Sequence, residues 1–281
     1  MLNEYKYNFI FNPFIKYKIG MLSNLVGTNE IRRATPIIVS ISASDNNFDN
    51  MELTLYSLLC QIIRPDRIIL WVSDKYDISD LPYEITRFVK NGLEIKRVKD
   101  LQAYTKTIYP LQQYPNAIVV TASENVYYPK DWLMKLYHSY IASPNDIHVH
   151  VAHEIKLDFN KKSILTFTDW EKNITKETSE YTNFISETGG VLYPPNCFSS
   201  EAFRDDVFLK NNIFDPSIWF WFMGVISGHK VRVVKNHMKT IHSTDIINLL
   251  KVNQKKRNKK TDEQIKTLME FYRQNILTKL N

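Results

Sequence analysis

Residues 36–72 read PIIVSISASDNNFDNMELTLYSLLCQIIRPDRIILWV, and they decide the fold class. Ile37-Ile38-Val39-Ser40-Ile41 is a short β-branched run entered from Pro36, the pattern of a buried strand. Asp49-x-x-Glu52 has the form of a capping box. Leu55, Leu58, Leu59 and Ile62 then recur at helical spacing until Arg64-Pro65 ends the helix. Ile68 to Val72 predicts a second strand. Strand, helix, strand within so short a stretch is the unit of a parallel sheet.

The alternation continues outward. Tyr83 to Asn91 predicts a helix stopped at Gly92, and Leu93 to Val98 a third strand. Gln102 to Gln113 predicts a helix, Ala117 to Thr121 a fourth strand, and Asp131 to Ala142 a further helix. The fold expected is α/β, a mostly parallel sheet with helices on both faces. Beyond Ala142 the pattern is less regular, with strands expected at Ile147 to Ala152 and Ser163 to Phe167. Gly189-Gly190 opens a tight turn into a short strand that Pro194-Pro195 ends. Asp215-Pro216, an N-cap followed by proline in the first turn, starts a helix through Ile218 to Ser227 that stops at Gly228. Thr261-x-x-Gln264 reads as a second capping box, opening a helix with Ile265, Leu268, Met269, Tyr272, Ile276 and Leu280 on one face. The organisation expected is an N-terminal arm over 1–33, an α/β domain over 34–240 and a basic, helical C-terminal extension over 241–281.

Composition removes several classes. A chain of 281 residues, 44% hydrophobic and 23% charged, can bury a sizeable core and is neither fibrous nor disordered. Seven glycines leave little for glycine-rich phosphate loops, and neither G-x-G-x-x-G nor G-x-x-x-x-G-K-[ST] occurs, which argues against dinucleotide and P-loop binding. The N-terminus lacks a signal-peptide pattern, and the longest apolar run, Ile218 to Ile226, is far below the roughly 20 residues of a spanning helix. A cytoplasmic location, peripheral at the inner membrane face if membrane-associated, is the expectation. Cys60 and Cys197 imply no disulfide framework, and Cys60 in its apolar run reads as a buried thiol. The run Lys255-Lys256-Arg257-Asn258-Lys259-Lys260 is open to three readings: a solvated segment, a contact with an anionic membrane surface, or a polyanionic substrate. Without a nucleic-acid module signature, nucleic acid ranks last among its partners.

Ligands of parallel sheets bind beyond the carboxyl ends of the strands. That directs attention to Ser42 to Asn47, Ser73 to Lys75 and Ala122 to Tyr128. Several segments in order carry a resemblance: Ile38–Ile41, the run from Glu52 to Leu59 with Gln61 and Pro65-Asp66, Ile69-Leu70-Trp71, TASENVYYPKDW over 121–132, the Gly189 to Pro195 turn, and Ile218-Trp219-Phe220-Trp221. Together they resemble the GT-A-fold glycosyltransferases of the family-2 type, notably bacterial enzymes of capsule and lipopolysaccharide assembly, over about Thr35 to Lys235.

The resemblance implies a nucleotide-sugar donor, a saccharide or lipid-linked acceptor, and a divalent cation, Mn²⁺ or Mg²⁺, held by aspartates at the end of the fourth strand. Here Ser123-Glu124-Asn125 stands where a triple aspartate would, and Pro216-Ser217 where an acidic pair would supply the base. Asn47 replaces an arginine of the first loop. Glu124 and Asn125 are then the candidate metal ligands, against a plain loop carboxylate and turn residue. Asp215, also a sufficient helix cap, and Glu187 are the candidate catalytic bases. Ser42, Asp45, Asp74, Lys106, Ser123, Glu124 and Trp219 are candidate nucleotide-sugar contacts, with Trp219 and Trp221 roughly 200° apart on their helix so that only one could stack on a sugar. His153 beside Glu154 is a further candidate on the acceptor side. A non-catalytic subunit of the same fold, binding a nucleotide, a glycan or a partner transferase, is the alternative.

Overall fold

The computed structural model describes residues 25–31, 33–43, 48, 51–160, 162–174, 176–237, 241–242 and 254–280. The chain forms two compact units, residues 1–134 with 238–252 and residues 135–237 with 253–281.

The first unit holds β1 (Ile37–Ser42), α1 (Met51–Leu59), β2 (Arg67–Ser73), α2 (Tyr83–Thr86), β3 (Leu93–Val98), α3 (Thr105–Gln113), β4 (Ile118–Thr121) and the short β5 (Val126–Tyr127). Strands β3, β2, β1 and β4 are neighbours in that order, and every pair is parallel. The α/β class and the parallel pairing follow the sequence reading. Ile37, Ile38, Val39, Ile68, Ile69, Leu70, Val119 and Val120 are all buried, as expected of central strands of a parallel sheet. The entry of β1 is clamped by Asp66. Its carboxylate accepts the Ile37 N–H at 2.7 Å and an Arg33 guanidinium N–H at 2.7 Å, while the Asp66 N–H donates back to the Ile37 carbonyl. Pro65-Asp66, part of the resemblance, therefore has a structural use. The segment Ile241–His242 pairs antiparallel with β5.

Two details differ from expectation. The helix expected over Tyr83 to Asn91 is the single turn α2 followed by a 3₁₀ turn at Val89–Asn91, closed by Gly92 at φ 103°. The helix expected from Gln102 begins as a 3₁₀ turn at Gln102–Tyr104, and α3 proper starts at Thr105.

The chain passes into the second unit within α4 (Trp132–Ala142). There follow β6 (Ile147–Val149), β7 (Ala152–Glu154), β8 (Glu171–Ile174), β9 (Ser179–Glu180), β10 (Asn183–Ile185), β11 (Val191–Tyr193), α5 (Asp205–Phe208), α6 (Pro216–Ile226), β12 (Val231–Val233) and α7 (Gln254–Leu280). β11, β6, β12 and β9 pair in that order, with only β6–β12 parallel, and β10, β7 and β8 form a separate antiparallel sheet. α6 is buried from Pro216 to Val225, as a helix apolar on all sides must be. Its Trp219 Nε1–H donates to the Ala202 carbonyl at 2.8 Å, and its Trp221 Nε1–H to the Tyr181 carbonyl at 3.0 Å.

The strand expected over Ser163 to Phe167 reduces to one bridge, Ile164 with Leu157, and then a 3₁₀ turn at Phe167–Asp169. The Asp158 carboxylate takes the N–H groups of Lys162 and Ser163 and closes a turn there instead. The C-terminal helix starts at Gln254, ahead of the expected Thr261 cap. The Gln264 side chain is engaged elsewhere: its Oε1 accepts the N–H groups of Phe214 and Asp215, and its Nε2 donates to the Lys260 carbonyl. Neither cysteine is in a disulfide, and Cys60 is partly exposed rather than buried.

Candidate functional site

The carboxyl ends of β1, β2 and β4 and the segment after β3 enclose a cavity of about 460 Å³ in the first unit. Its wall includes Ser42, Ser73, Asp100, Gln102, Lys106 and the run Ser123-Glu124-Asn125. Five candidates from the sequence, Ser42, Lys106, Ser123, Glu124 and Asn125, meet there.

A polar scaffold behind the wall holds these residues. Thr54 and Ser57 on α1, with Gln61 just beyond its end, follow one another at intervals of three to four residues. Thr54 Oγ1 donates to the Glu124 carbonyl at 2.7 Å. Ser57 Oγ accepts the Tyr128 N–H at 3.1 Å, and the Tyr128 hydroxyl accepts the Ser123 N–H at 2.8 Å. Gln61 Nε2 donates to the carbonyls of Ser57 and Pro129, and its Oε1 accepts the Leu133 N–H. Helix α1 thus fixes both ends of the segment after β4. Behind Lys106, the Trp71 Nε1–H donates to Ser40 Oγ at 2.8 Å, and Ser40 Oγ donates to the Lys106 carbonyl at 2.5 Å. Trp71 and Ser40 are wholly buried, so the start of α3 is tied to the sheet from within.

The lining also includes a segment that the sequence reading passed over. Asp100 makes an ion pair with Lys75 at 3.3 Å, and its Oδ1 accepts the Gln102 N–H at 2.7 Å. Gln102 has φ 55°, a backbone conformation costly for a side chain other than glycine. The strand-end rule that pointed to β1, β2 and β4 applies equally to the residues after β3, and it was the available signal for Asp100 and Gln102.

The Asn125 Oδ1 is buried and has no hydrogen-bond partner among the described residues. Such an oxygen is costly unless something binds it. Among the described residues no three His, Cys, Asp or Glu side chains come together as a metal-ligand set. Glu124 and Asn125 remain a carboxylate and an amide oxygen side by side in the cavity wall, enough to hold a Mg²⁺-like ion only when phosphate and water supply the rest of its shell.

Asp45 and Asn47 are outside the described residues. Asp74 is exposed. Its N–H donates to the Val98 carbonyl and its own carbonyl accepts from Arg97, and it takes no part in the cavity wall. Trp219 is fully buried against Phe208 and Tyr272, so the expectation that it stacks on a sugar is corrected: no face of it is free. Trp221 is 1% exposed and equally enclosed.

Asp215 and Glu187, both in the second unit, are electrostatically coupled. Burial first, and then the Glu187 carboxylate, raise the Asp215 pKa, while the Ser217 N–H it caps at 2.9 Å pulls the other way. Tyr193 is wholly buried, its hydroxyl pushed well above its usual pKa by burial and then by Glu187. The Tyr193 hydroxyl is buried with no hydrogen-bond partner among the described residues. Glu187 reaches this place through the following turn. Gly190 has φ 80°, and a Cβ on Gly189 would meet the His150 Cβ at 3.0 Å. His153 is packed against Phe167 and Phe184 and accepts the Asn173 N–H on Nδ1. Burial and then Lys172 push its pKa down to about 4, which suits an aromatic core better than an acceptor site.

No protein-family model and no curated protein matches the chain. Among solved structures it is similar to the crystal structure of S. aureus TarS 1-349, at 11% identity and a TM-score of 0.46, over 78% of this chain and 64% of that one. Both values are too low for that likeness to assign an activity.

Proposed function

We propose that the chain is a glycosyltransferase whose first unit binds the diphosphate of a nucleotide-sugar donor in the strand-end cavity. The observation that carries this reading is the meeting of Ser42, Lys106, Ser123, Glu124 and Asn125 in one wall at the carboxyl ends of parallel strands. A leaving nucleoside diphosphate gathers negative charge, and a lysine facing it lowers the cost of that charge. Serine hydroxyls donate to phosphate or sugar oxygens, and Glu124 and Asp100 can accept from ribose or sugar hydroxyls. A divalent cation arriving with the diphosphate would be held by Glu124 and the Asn125 Oδ1, and would neutralise further charge.

Proton removal from the acceptor hydroxyl is assigned to Asp215 on the sequence resemblance; burial first, and then the Glu187 carboxylate, raise its pKa. GT-A-like architecture, a saccharide or lipid-linked acceptor and a role in surface-polysaccharide assembly complete the proposal and rest on the sequence resemblance. A second reading, a nucleotide- or glycan-binding subunit without turnover, is favoured by one observation: no set of three acidic or histidine ligands stands among the described residues.

Thermal shift with uridine, guanosine and cytidine diphosphates and their sugars, with and without Mn²⁺, tests the binding step. Stabilisation by one nucleotide family is expected, and Lys106→Ala should weaken that binding about tenfold, the usual scale of one charge-assisted contact. No response to any nucleotide would sink the proposal. Release of nucleoside diphosphate, lost in Asp215→Asn, separates the transferase from the binding subunit.

A further inference from the structure

Helix α7 carries eight basic and three acidic residues, so most of the chain's formal net charge of +6 resides on it. It buries Ile265, Leu268, Ile276 and Leu280 against its own unit. Lys259, Lys266 and Arg273 are all exposed and recur every seven residues, which places them within about 40° of one another around the helix. They form a basic stripe about 21 Å long. Glu263 and Glu270 lie on the adjoining flank, where Glu263 makes an ion pair with Lys259 at 3.9 Å.

The stripe adjoins a turn of unusual composition. Arg273 Nη2 donates to the Lys162 carbonyl at 3.1 Å, which brings the 158–163 turn to the end of the stripe. The turn is held shape-fast by the Asp158 carboxylate on the Lys162 and Ser163 N–H groups and by the Asp158 N–H on the Ser163 carbonyl. Asp158 is thereby engaged in the turn itself. At its tip Phe159 is fully exposed, and Leu165, just beyond, is 37% exposed.

We propose that this edge of the second unit, Phe159 with Lys162, Lys259, Lys266 and Arg273, docks on an anionic lipid bilayer. Phe159 enters the boundary between headgroups and acyl chains, and the cations lie along the lipid phosphates. A protein partner fits less well: one phenylalanine and one leucine fall far short of the roughly 800 Å² per side of a stable protein interface. A bilayer needs only an apolar wedge and a few cations, each cation near the surface adding about fivefold to partitioning. No described helix is long and apolar enough to cross a membrane, so the contact is peripheral.

Sedimentation of the full chain with vesicles tests the proposal. Vesicles of phosphatidylcholine alone are compared with vesicles containing phosphatidylglycerol, at about 0.1 M salt and at several times that concentration. Binding is expected only to the anionic vesicles and should fall at high salt. Phe159→Ser and the triple variant Lys259→Gln, Lys266→Gln, Arg273→Gln should each reduce it about fivefold or more. Equal binding to both vesicle types, no binding to either, or unchanged binding by both variants overturns the proposal. Because the triple variant also removes the Arg273–Lys162 bond, Phe159→Trp supplies an independent readout that breaks no hydrogen bond. Its emission should shift to the blue with anionic vesicles, and an unshifted spectrum on bound protein assigns the contact to another surface.

Discussion

The two units are built around different interiors. In the first, side chains on β1, on α1 and just after it (Ser40, Thr54, Ser57, Gln61) are hydrogen-bonded into a frame, and the cavity they support is lined by polar side chains. In the second, the core is aromatic, built on Trp170, Phe184, Phe208, Trp219, Phe220 and Trp221. The Tyr193 hydroxyl is buried beside that core without a hydrogen-bond partner among the described residues, as the Asn125 Oδ1 is in the first unit. A frame of satisfied bonds specifies geometry, while an aromatic core supplies stability through area and close packing. Substitutions should therefore divide: those in the second unit cost stability, and those in the first cost ligand geometry.

The largest effect is expected from Trp219→Ala. It removes a wholly buried ring and strands the Ala202 carbonyl that accepts its N–H, and such losses cost roughly 3–5 kcal/mol. Denaturant unfolding measures it, and a loss below about 1 kcal/mol would break the contrast between the units.

Next in size is a dependence on pH that belongs to the second unit. His148 is wholly buried, its Nδ1 accepting from the Ser139 hydroxyl and its Nε2–H donating to the Ser143 carbonyl, a neutral tautomer. Burial pushes its pKa down from 6.5 to about 4. The unfolded chain binds a proton below about 6.5 and the folded chain only below about 4. Stability is therefore lost as pH falls through that window, by roughly 3 kcal/mol at most from this residue. His153, also pushed down to about 4, adds in the same direction. Asp215, raised by burial and Glu187, works against them by favouring the folded chain as it takes up its proton. Unfolding followed at several pH values from 7 to about 4 should show the net loss, and His148→Gln should flatten it; an unchanged slope would remove His148 from the account.

Ser40→Ala comes third and tests the first unit's frame. The Trp71 N–H would lose its acceptor and the Lys106 carbonyl its donor, both from a buried site, at a cost of about 1–3 kcal/mol. Nucleotide affinity should fall together with stability because the start of α3 is released. Calorimetry on the folded variant distinguishes this from a purely structural role, in which affinity would stay at the parent value.

The first unit was the more legible of the two in the sequence. Short runs rich in β-branched residues such as Ile37 to Ile41 and Ile68 to Val72 have one cheap use, a strand buried on both faces, and ligands of parallel sheets bind beyond the strand ends. Hence Ser42 and Ser123 to Asn125 could be placed at strand ends without coordinates, whereas Lys106, on α3, could not be reached by that rule. The second unit was less legible because its strands are two to four residues long and mostly antiparallel, and periodicity has no room to develop over so few positions. Side chains that serve distant partners misled further. Gln264 was read as a local cap and instead holds the amides before α6, and Trp219 was read as a surface for sugar when its N–H is spent on Ala202.

The smallest effect concerns Gln102, which stands in the cavity wall with φ 55°. Glycine takes that conformation without steric cost but enlarges the conformational freedom of the unfolded chain, and the two terms oppose each other at about 0.5–1 kcal/mol each. Gln102→Gly should therefore leave stability within about 0.5 kcal/mol of the parent. The backbone N–H to Asp100 Oδ1 survives the change, so the turn itself should persist. If nucleotide affinity falls severalfold while stability holds, the strained backbone is kept to aim the glutamine side chain into the cavity. If affinity is untouched, the strain serves only the Asp100 turn, and the cavity's recognition rests on Lys106 and the residues after β4.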